Sequence, residues 1–182
     1  MTSDPPPNER TIALVGLMGV GKSTIGRRLA QALDMPFRDA DQEIETAAGR
    51  TIPEIFAELG EAEFRAGERR VIGRLLQEPR HVLASGGGAF MDPQTRLLMK
   101  QKAITVWLKA DLDVMVRRVG RKNTRPLLIG RDPREVLQEL MDKRYPIYAE
   151  ADITIVTDDR PANAAVDALL AALKLRLEPA AG

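Results

Sequence analysis

Apolar residues follow two patterns along this chain, and the two patterns alternate from one end to the other. Short apolar runs predict buried strands at residues 11–15, 36–39, 81–84, 103–108 and 152–157. Between them, apolar residues recur every three or four positions and predict helices at residues 25–33, 41–47, 53–59, 61–77, 111–118 and 161–175, with two more beginning at 93 and 133. This alternation indicates an α/β fold, in which helices cover both faces of a parallel sheet.

Helix starts in this sequence carry their own capping chemistry. Aspartate or threonine side chains can accept hydrogen bonds from the free N–H groups of a first turn, and proline fits a first turn well. On this basis we predict helix caps at Asp41, Thr51, Asp92, Asp111 and Asp132. Because parallel strands end at the same edge of a sheet, we expect binding residues to follow the strand ends.

The segment GLMGVGKST at residues 16–24 carries the strongest chemical signal. It matches the pattern G-x-x-x-x-G-K-S/T and lies between a predicted strand and a predicted helix, as that phosphate-binding loop requires. Backbone N–H groups of such a loop bind anions, Lys22 supplies a mobile positive charge, and the Ser23 hydroxyl suits Mg²⁺. The alternative is a glycine-rich turn that binds nothing, but the flanking elements favour a nucleoside triphosphate site.

Composition excludes several classes of function. The chain has 27 basic and 26 acidic residues and a net charge of +1, so no strong field attracts nucleic acid. It has no cysteine and one histidine, which excludes disulfides, thiolate chemistry and cysteine or histidine metal clusters. No apolar run suits a membrane span or a signal peptide, so we expect a cytoplasmic protein without nucleic-acid or membrane partners.

Residues 119–132 interrupt the alternation of strands and helices with glycines and arginines. They predict a mobile lid, which phosphoryl transfer uses to supply positive charge and to exclude water. We expect residues 1–9 to form a disordered tail, residues 10–176 a single kinase domain, and residues 177–182 a frayed end.

From about residue 10 to residue 170 the chain resembles the bacterial shikimate kinases, within the nucleoside-monophosphate-kinase-like group of phosphate-loop kinases. The resemblance is carried by residues 16–30, 39–41, 52–56, 60–65, 86–88 and 125–128, and by Arg144 ahead of Tyr148. It implies a five-stranded parallel sheet with the phosphate-loop strand in the middle. It also implies transfer of the ATP γ-phosphate to the 3-hydroxyl of shikimate, on the route to chorismate and aromatic amino acids, with Mg²⁺ as cofactor. We expect a monomer with no obligatory protein partner.

The same resemblance implies roles for individual residues. The catalytic residues would be Lys22, Asp41 and Arg125. The residues binding ATP would be Gly19, Val20, Gly21, Lys22, Ser23, Thr24, Arg118, Arg125 and Arg160. Shikimate would bind Asp41, Arg65, Gly87, Gly88 and Arg144, with the two arginines holding its carboxylate. Mg²⁺ would bind Ser23 and, through water, Asp39.

Simpler interpretations compete with these roles. Asp41 could serve only as a helix cap, and arginines on helices are usually solvated. A gluconate kinase or another small-molecule kinase of the same group is one alternative function, and a nucleotide-binding module without catalysis is another. The presence of Lys22, Ser23, Asp41 and Arg125 together argues against the non-catalytic alternative, which has little need for polar and charged groups that converge on one site.

Overall fold

The computed structural model describes residues 4–120, 128 and 130–177, and within them the strands form one five-stranded sheet in the order β2-β3-β1-β4-β5. Every neighbouring pair is parallel. The strands are β1 (Thr11–Val15), β2 (Phe37–Asp39), β3 (Val82–Ala84), β4 (Ala103–Lys109) and β5 (Ile153–Val156). The predicted parallel α/β sheet, with the phosphate-loop strand β1 at its centre, is therefore confirmed.

Helices connect these strands and cover the sheet. In the described part of the chain they are α1 (Lys22–Ala32), α2 (Ala40–Ala48), α3 (Ile52–Leu75), α4 (Pro93–Lys102), α5 (Leu112–Val119), α6 (Pro133–Tyr148) and α7 (Ala162–Leu177). Residues Ile12 to Val15 of the central strand are fully buried, as a strand covered on both faces must be. The carboxyl ends of the strands consequently open onto one edge, where the loops after β1, β2, β3 and β5 meet.

The two helices predicted on either side of Gly60 meet end to end in α3. The sequence predicts helices at 53–59 and 61–77, and α3 (Ile52–Leu75) consists of two helical segments that meet at a kink. Gly60, with φ of 82° and ψ of 172°, lies at the join and breaks the helical geometry there. Thr51 caps α3 as predicted: its hydroxyl accepts from the Glu54 N–H, and the Glu54 carboxylate accepts from the Thr51 N–H at 2.8 Å.

The prediction that Asp41 caps a helix is wrong. Helix α2 begins one residue earlier, and Asp39 is its cap, accepting from the N–H groups of Asp41 at 3.0 Å and Gln42 at 3.4 Å. Asp41 therefore lies inside the first turn, where its carboxylate is not needed for capping. Asp92 and Asp132 cap their helices as predicted, whereas Asp111 occupies a cap position without a capping hydrogen bond from its side chain.

The predicted tail and lid are described only in part. Residues Pro7–Glu9 of the tail form a short 3₁₀ turn, and Arg10 donates to the Pro5 carbonyl at 2.8 Å, so this part has a defined conformation. Most of the predicted lid, including Arg125, lies outside the described residues. None of the described helices has the length and apolar character needed to cross a membrane.

Candidate active site

The phosphate loop between β1 and α1 requires glycine at two positions. Gly16 has a φ of 148°, and a Cβ there would lie 2.8 Å from the carbonyl oxygen of Leu108, so the loop passes too close to β4 for a side chain. Gly21 has a φ of 103° and forms the N-cap of α1. The helix therefore starts directly behind the loop, with its free N–H groups turned toward a bound anion.

Lys22 and Ser23 lie at the mouth of this loop. The Lys22 ammonium donates to the carbonyl oxygens of Gly16 at 2.6 Å and Leu17 at 2.9 Å. The Ser23 hydroxyl donates to Asp39 Oδ2 at 2.9 Å, so the first turn of α1 is tied to the end of β2. The structure thus brings together the two residues predicted to hold Mg²⁺.

The donor set at Ser23 and Asp39 fits Mg²⁺. A hydroxyl and a carboxylate are hard oxygen ligands, and Mg²⁺ usually takes one or two protein ligands while phosphates and waters supply the others. Among the described residues, no group of three or more histidine, aspartate or glutamate side chains could hold a metal by itself. A metal ion here would accordingly depend on the bound nucleotide.

Asp41 faces the turn that follows β3. A Cβ on Gly86 would lie 2.8 Å from Asp41 Oδ1, so the carboxylate packs directly against this turn. Burial raises the pKa of Asp41, the nearby Asp39 carboxylate raises it further, and the Lys22 ammonium opposes both. Its raised pKa makes Asp41 a better hydrogen-bond and proton acceptor than an ordinary aspartate.

Arg65 of α3 lies on the same turn. Its guanidinium occupies the space beside Gly88, where an added Cβ would be 2.6 Å from Cζ and 2.7 Å from Nη1. Two contacts fix it there: Nη1 donates to Glu68 Oε1 at 2.7 Å, and Cζ lies 5.1 Å from the centre of the Phe64 ring. The charged end of Arg65 is therefore held in place beside the glycine turn.

Glu68 was missed by the sequence analysis. It is only 1% exposed, and its Oε2 has no hydrogen-bond partner among the described residues. Burial raises the pKa of Glu68, and the Arg65 guanidinium opposes this rise. The available signal is its position: Glu68 follows Phe64 and precedes Ile72 by four residues each, which places a carboxylate on the buried face of α3.

Arg144 of α6 approaches the glycine turn from another side. A Cβ on Gly87 would lie 3.1 Å from Arg144 Nη1. Tyr148, one helical turn further along α6, is fully buried and donates from its hydroxyl to the Gly87 carbonyl oxygen. Arg65 and Arg144, which come from different helices, thus lie against consecutive residues of one turn.

A cavity of about 200 Å³ opens on the other side of the phosphate loop, next to the segment that follows β5. Arg118 of α5 spans it, donating from Nη1 to the Val20 carbonyl at 2.8 Å and from Nη2 to the Asp158 carbonyl. Arg160 lies at its edge, where Nε contacts both Asp158 carboxylate oxygens at 2.9 and 3.0 Å. The side-chain hydrogen bond from Arg160 lowers the pKa of Asp158. The lining residues also include Gly21, Thr24, Thr157 and Pro161.

The site thus has two compartments that share the phosphate loop. Every described residue predicted from the sequence lies in one of them or in the loop itself, and Arg125 lies outside the described residues. The cavity near Arg118 suits a flat base, and the glycine turn with two arginines and Asp41 suits an anion that carries hydroxyl groups. Such an arrangement can bring a nucleotide phosphate and an acceptor hydroxyl together.

Comparisons with known proteins agree with this geometry. The family model described as shikimate kinase matches residues 18–174. The shikimate kinase of Caulobacter vibrioides is 62% identical over 169 residues, which cover 93% of this chain and 84% of the relative. Among solved structures, shikimate kinase from Acinetobacter baumannii in complex with shikimate is similar, with a TM-score of 0.88 and 39% identity, covering 94% of this chain and 97% of that one.

The alternative function, gluconate kinase, is represented among the solved structures at much lower similarity. A gluconokinase from Sinorhizobium meliloti has a TM-score of 0.59 and 18% identity, covering 93% of this chain and 98% of that one. At that identity the likeness extends to the fold alone and gives no support to gluconate as the acceptor.

Proposed function

The chain belongs to the shikimate kinase family, and from this membership we propose that it transfers the γ-phosphoryl group of ATP to the 3-hydroxyl of shikimate. It is a phosphotransferase, and the products are shikimate 3-phosphate and ADP. The observation that carries the proposal is the placement of Arg65 and Arg144 against consecutive glycines, one loop away from the phosphate site. Two guanidinium groups converging there would bind the carboxylate of shikimate.

The phosphate loop would hold the nucleotide. Its backbone N–H groups and the start of α1 would bind the phosphates of ATP, and Lys22 would neutralise charge on the β- and γ-phosphates as that charge shifts during transfer. Arg118 would stack on the adenine, with Arg160 at the edge of the same cavity. The contacts of Arg118 with carbonyl groups of the loop and of the segment after β5 support this role, since they hold the guanidinium across the cavity.

Ser23 and Asp39 are the residues that would hold Mg²⁺, Ser23 directly and Asp39 through a water molecule. Their hydrogen bond at 2.9 Å supports this assignment because it places both oxygens at the mouth of the loop. When bound, Mg²⁺ would neutralise charge on the phosphate oxygens.

Asp41 would position the acceptor. The transition state of phosphoryl transfer is loose in most accounts, so the attacking oxygen needs orientation more than early deprotonation. The Asp41 carboxylate, packed against Gly86, would accept a hydrogen bond from the shikimate hydroxyl and take its proton as transfer proceeds. The backbone N–H groups of Gly87 and Gly88 would bind the substrate beside it.

We propose that the chain acts as a monomer, since the phosphate loop and the glycine turn meet at one edge of a single sheet. A molar mass near the 20.1 kDa of the chain, measured by light scattering during size-exclusion chromatography at assay concentrations, is the expected result. A larger species that loses activity on dilution would contradict it.

A turnover assay tests the proposed function. Purified protein with ATP and Mg²⁺ is incubated separately with shikimate, gluconate and nucleoside monophosphates, and ADP release is followed together with mass spectrometry of the acceptor. Of the three kinds of acceptor, we expect only shikimate to give ADP and a phosphorylated product. Phosphorylation of gluconate in preference to shikimate, or ADP release that does not depend on an acceptor, would refute the proposal.

A further inference from the structure

The Tyr148 hydroxyl connects two parts of the acceptor compartment. It donates to the carbonyl oxygen of Gly87, and the Arg144 guanidinium, one helical turn back along α6, lies near enough to act on its pKa. Arg144 itself lies against Gly87, with Nη1 3.1 Å from the position of an added Cβ. The phenol oxygen is therefore bonded to the backbone of the glycine turn and lies beside the arginine of α6.

Aromatic packing against the sheet fixes the position of this hydroxyl. The Trp107 ring of β4 lies 5.9 Å from the ring of Tyr148 and 4.9 Å from that of Tyr145, centre to centre. Tyr148 is fully buried, so its ring has no solvent-exposed alternative position. Strand β4 thus supports the Tyr148 ring, and the Tyr148 hydroxyl lies against Gly87 and Arg144.

The protonation state of the phenol suits its hydrogen bond to Gly87. Burial raises the pKa of Tyr148 to about 12, although the Arg144 guanidinium acts in the opposite direction. The hydroxyl consequently stays protonated at any pH at which the enzyme would be assayed. It can donate to Gly87 while its oxygen lone pairs stay available to the nearby Arg144 guanidinium.

We propose that Tyr148 is a positioning residue for the acceptor, which acts by holding Arg144 in register with the Gly87–Gly88 turn so that Arg144 meets the substrate carboxylate while the turn binds the same molecule. This inference rests on the proposed function, because it assigns Arg144 to that carboxylate. Without the hydroxyl, the Arg144 guanidinium would have to order itself as substrate binds, and the loss would appear in shikimate affinity.

Tyr148→Phe removes the hydroxyl and keeps the ring in its aromatic packing. We expect the KM for shikimate to rise about fivefold to tenfold, which corresponds to one lost hydrogen bond. The KM for ATP should stay within about twofold, since neither partner of the hydroxyl lies in the nucleotide cavity. A KM does not depend on how much of the preparation is folded, so the comparison survives some loss of stability.

Tyr145→Phe is the matched control. The Tyr145 hydroxyl also donates to a backbone carbonyl, that of Ala110 at 2.7 Å, and its ring packs on the same tryptophan. This variant should lose comparable stability while the KM values for both substrates remain near wild type. Trp107, the single tryptophan of the chain, allows shikimate binding to each variant to be measured independently by fluorescence.

A double-variant cycle separates positioning from a general structural role. In an Arg144→Ala background, Tyr148→Phe should raise the KM for shikimate by less than about twofold, because the residue through which it acts is gone. The proposal is overturned if Tyr148→Phe leaves the KM for shikimate unchanged, if it raises both KM values equally, or if its effect is the same with and without Arg144. Wild-type turnover of shikimate is measured first, and its absence would overturn the proposed function and this inference together.

Discussion

Replacing Gly88 by alanine tests whether the position of Arg65 governs acceptor binding. The backbone at Gly88, with φ of −96° and ψ of −5°, is one that alanine adopts readily. The added methyl group, however, would lie 2.6 Å from Cζ and 2.7 Å from Nη1 of Arg65, whereas ordinary contacts begin near 3.4 Å. The N–H group proposed to bind substrate is retained, so the change acts mainly on the guanidinium.

The magnitude follows from these distances. The Arg65 guanidinium must withdraw by about 1 Å, and a misplacement of that size in a binding group can reduce the rate about a hundredfold. We therefore expect kcat/KM for shikimate to fall between about tenfold and a hundredfold. Because this displacement also weakens the hydrogen bond from Arg65 to the buried Glu68, the free energy of unfolding should fall by about 1 kcal/mol.

The assay is steady-state kinetics with each substrate varied in turn, combined with urea denaturation. Gly73→Ala is the control: Gly73 lies inside α3, and a Cβ there would meet Leu98 at an ordinary 3.6 Å. That variant should gain up to about 1 kcal/mol of stability, as alanine does in helices, and keep wild-type kinetics.

An Arg65→Lys background shows whether the Gly88 methyl group acts through Arg65. Lysine lacks the forked guanidinium that the methyl group would meet, so Gly88→Ala should reduce kcat/KM by less than about threefold in that background. Wild-type shikimate kinetics in Gly88→Ala alone, or an equal rise in the KM for ATP, would refute this reasoning.

Three further substitutions test the phosphate loop, the acceptor site and the capping residue of α4. Lys22→Met should lower kcat at least about a hundredfold with little change in Tm, measured by kinetics at saturating ATP and by thermal melting; near-normal turnover would contradict its role at the phosphates. Asp41→Asn should lower kcat by about 10²–10⁴ with nearly unchanged ATP affinity in calorimetry. Its unfolding free energy at pH 7 should rise, because Asp39 caps α2 and the raised pKa of Asp41 shows that its buried charge is unfavourable; unchanged turnover would remove Asp41 from the acceptor site. The hydrogen bond from Arg69 lowers the pKa of Asp92 to about 2, so Asp92→Asn should cost about 1 kcal/mol above pH 4 and progressively less toward pH 2. Urea denaturation of both proteins from pH 2 to pH 7 measures this difference in unfolding free energy. A difference that does not change with pH would contradict the prediction.

The sheet could be predicted from the sequence because its signals are local and repeated. The phosphate loop lies between β1 and α1, and each of those elements has an unambiguous hydrophobic pattern. Only the central position of β1 was predicted, and that from the resemblance, since hydrophobic patterns show that strands are buried but not which strands are neighbours. The kink at Gly60 could be predicted as well, because glycine interrupts the helical pattern at the residue where the two segments of α3 meet.

The acceptor compartment could be predicted only in part. Asp39 and Asp41 are two residues apart, and sequence alone could not show which of them caps α2, since both are good caps at a plausible helix start. Glu68 gave a signal by position, but a glutamate on a helix is usually solvated, and its buried contact with Arg65 depends on how α3 packs. The hydroxyl of Tyr148 meets Gly87 across 61 residues of chain, a separation that no local pattern encodes.

The two compartments draw on different parts of the chain, and this has a consequence for how such a site can change over time. The cavity near Arg118 uses α5 and the segment after β5, whereas the acceptor side uses α2, α3, α6 and the glycine turn. Substitutions that alter which acceptor fits can therefore accumulate on one side while nucleotide binding persists on the other. For protein engineering, the acceptor side is the place to change specificity, with the phosphate loop kept constant.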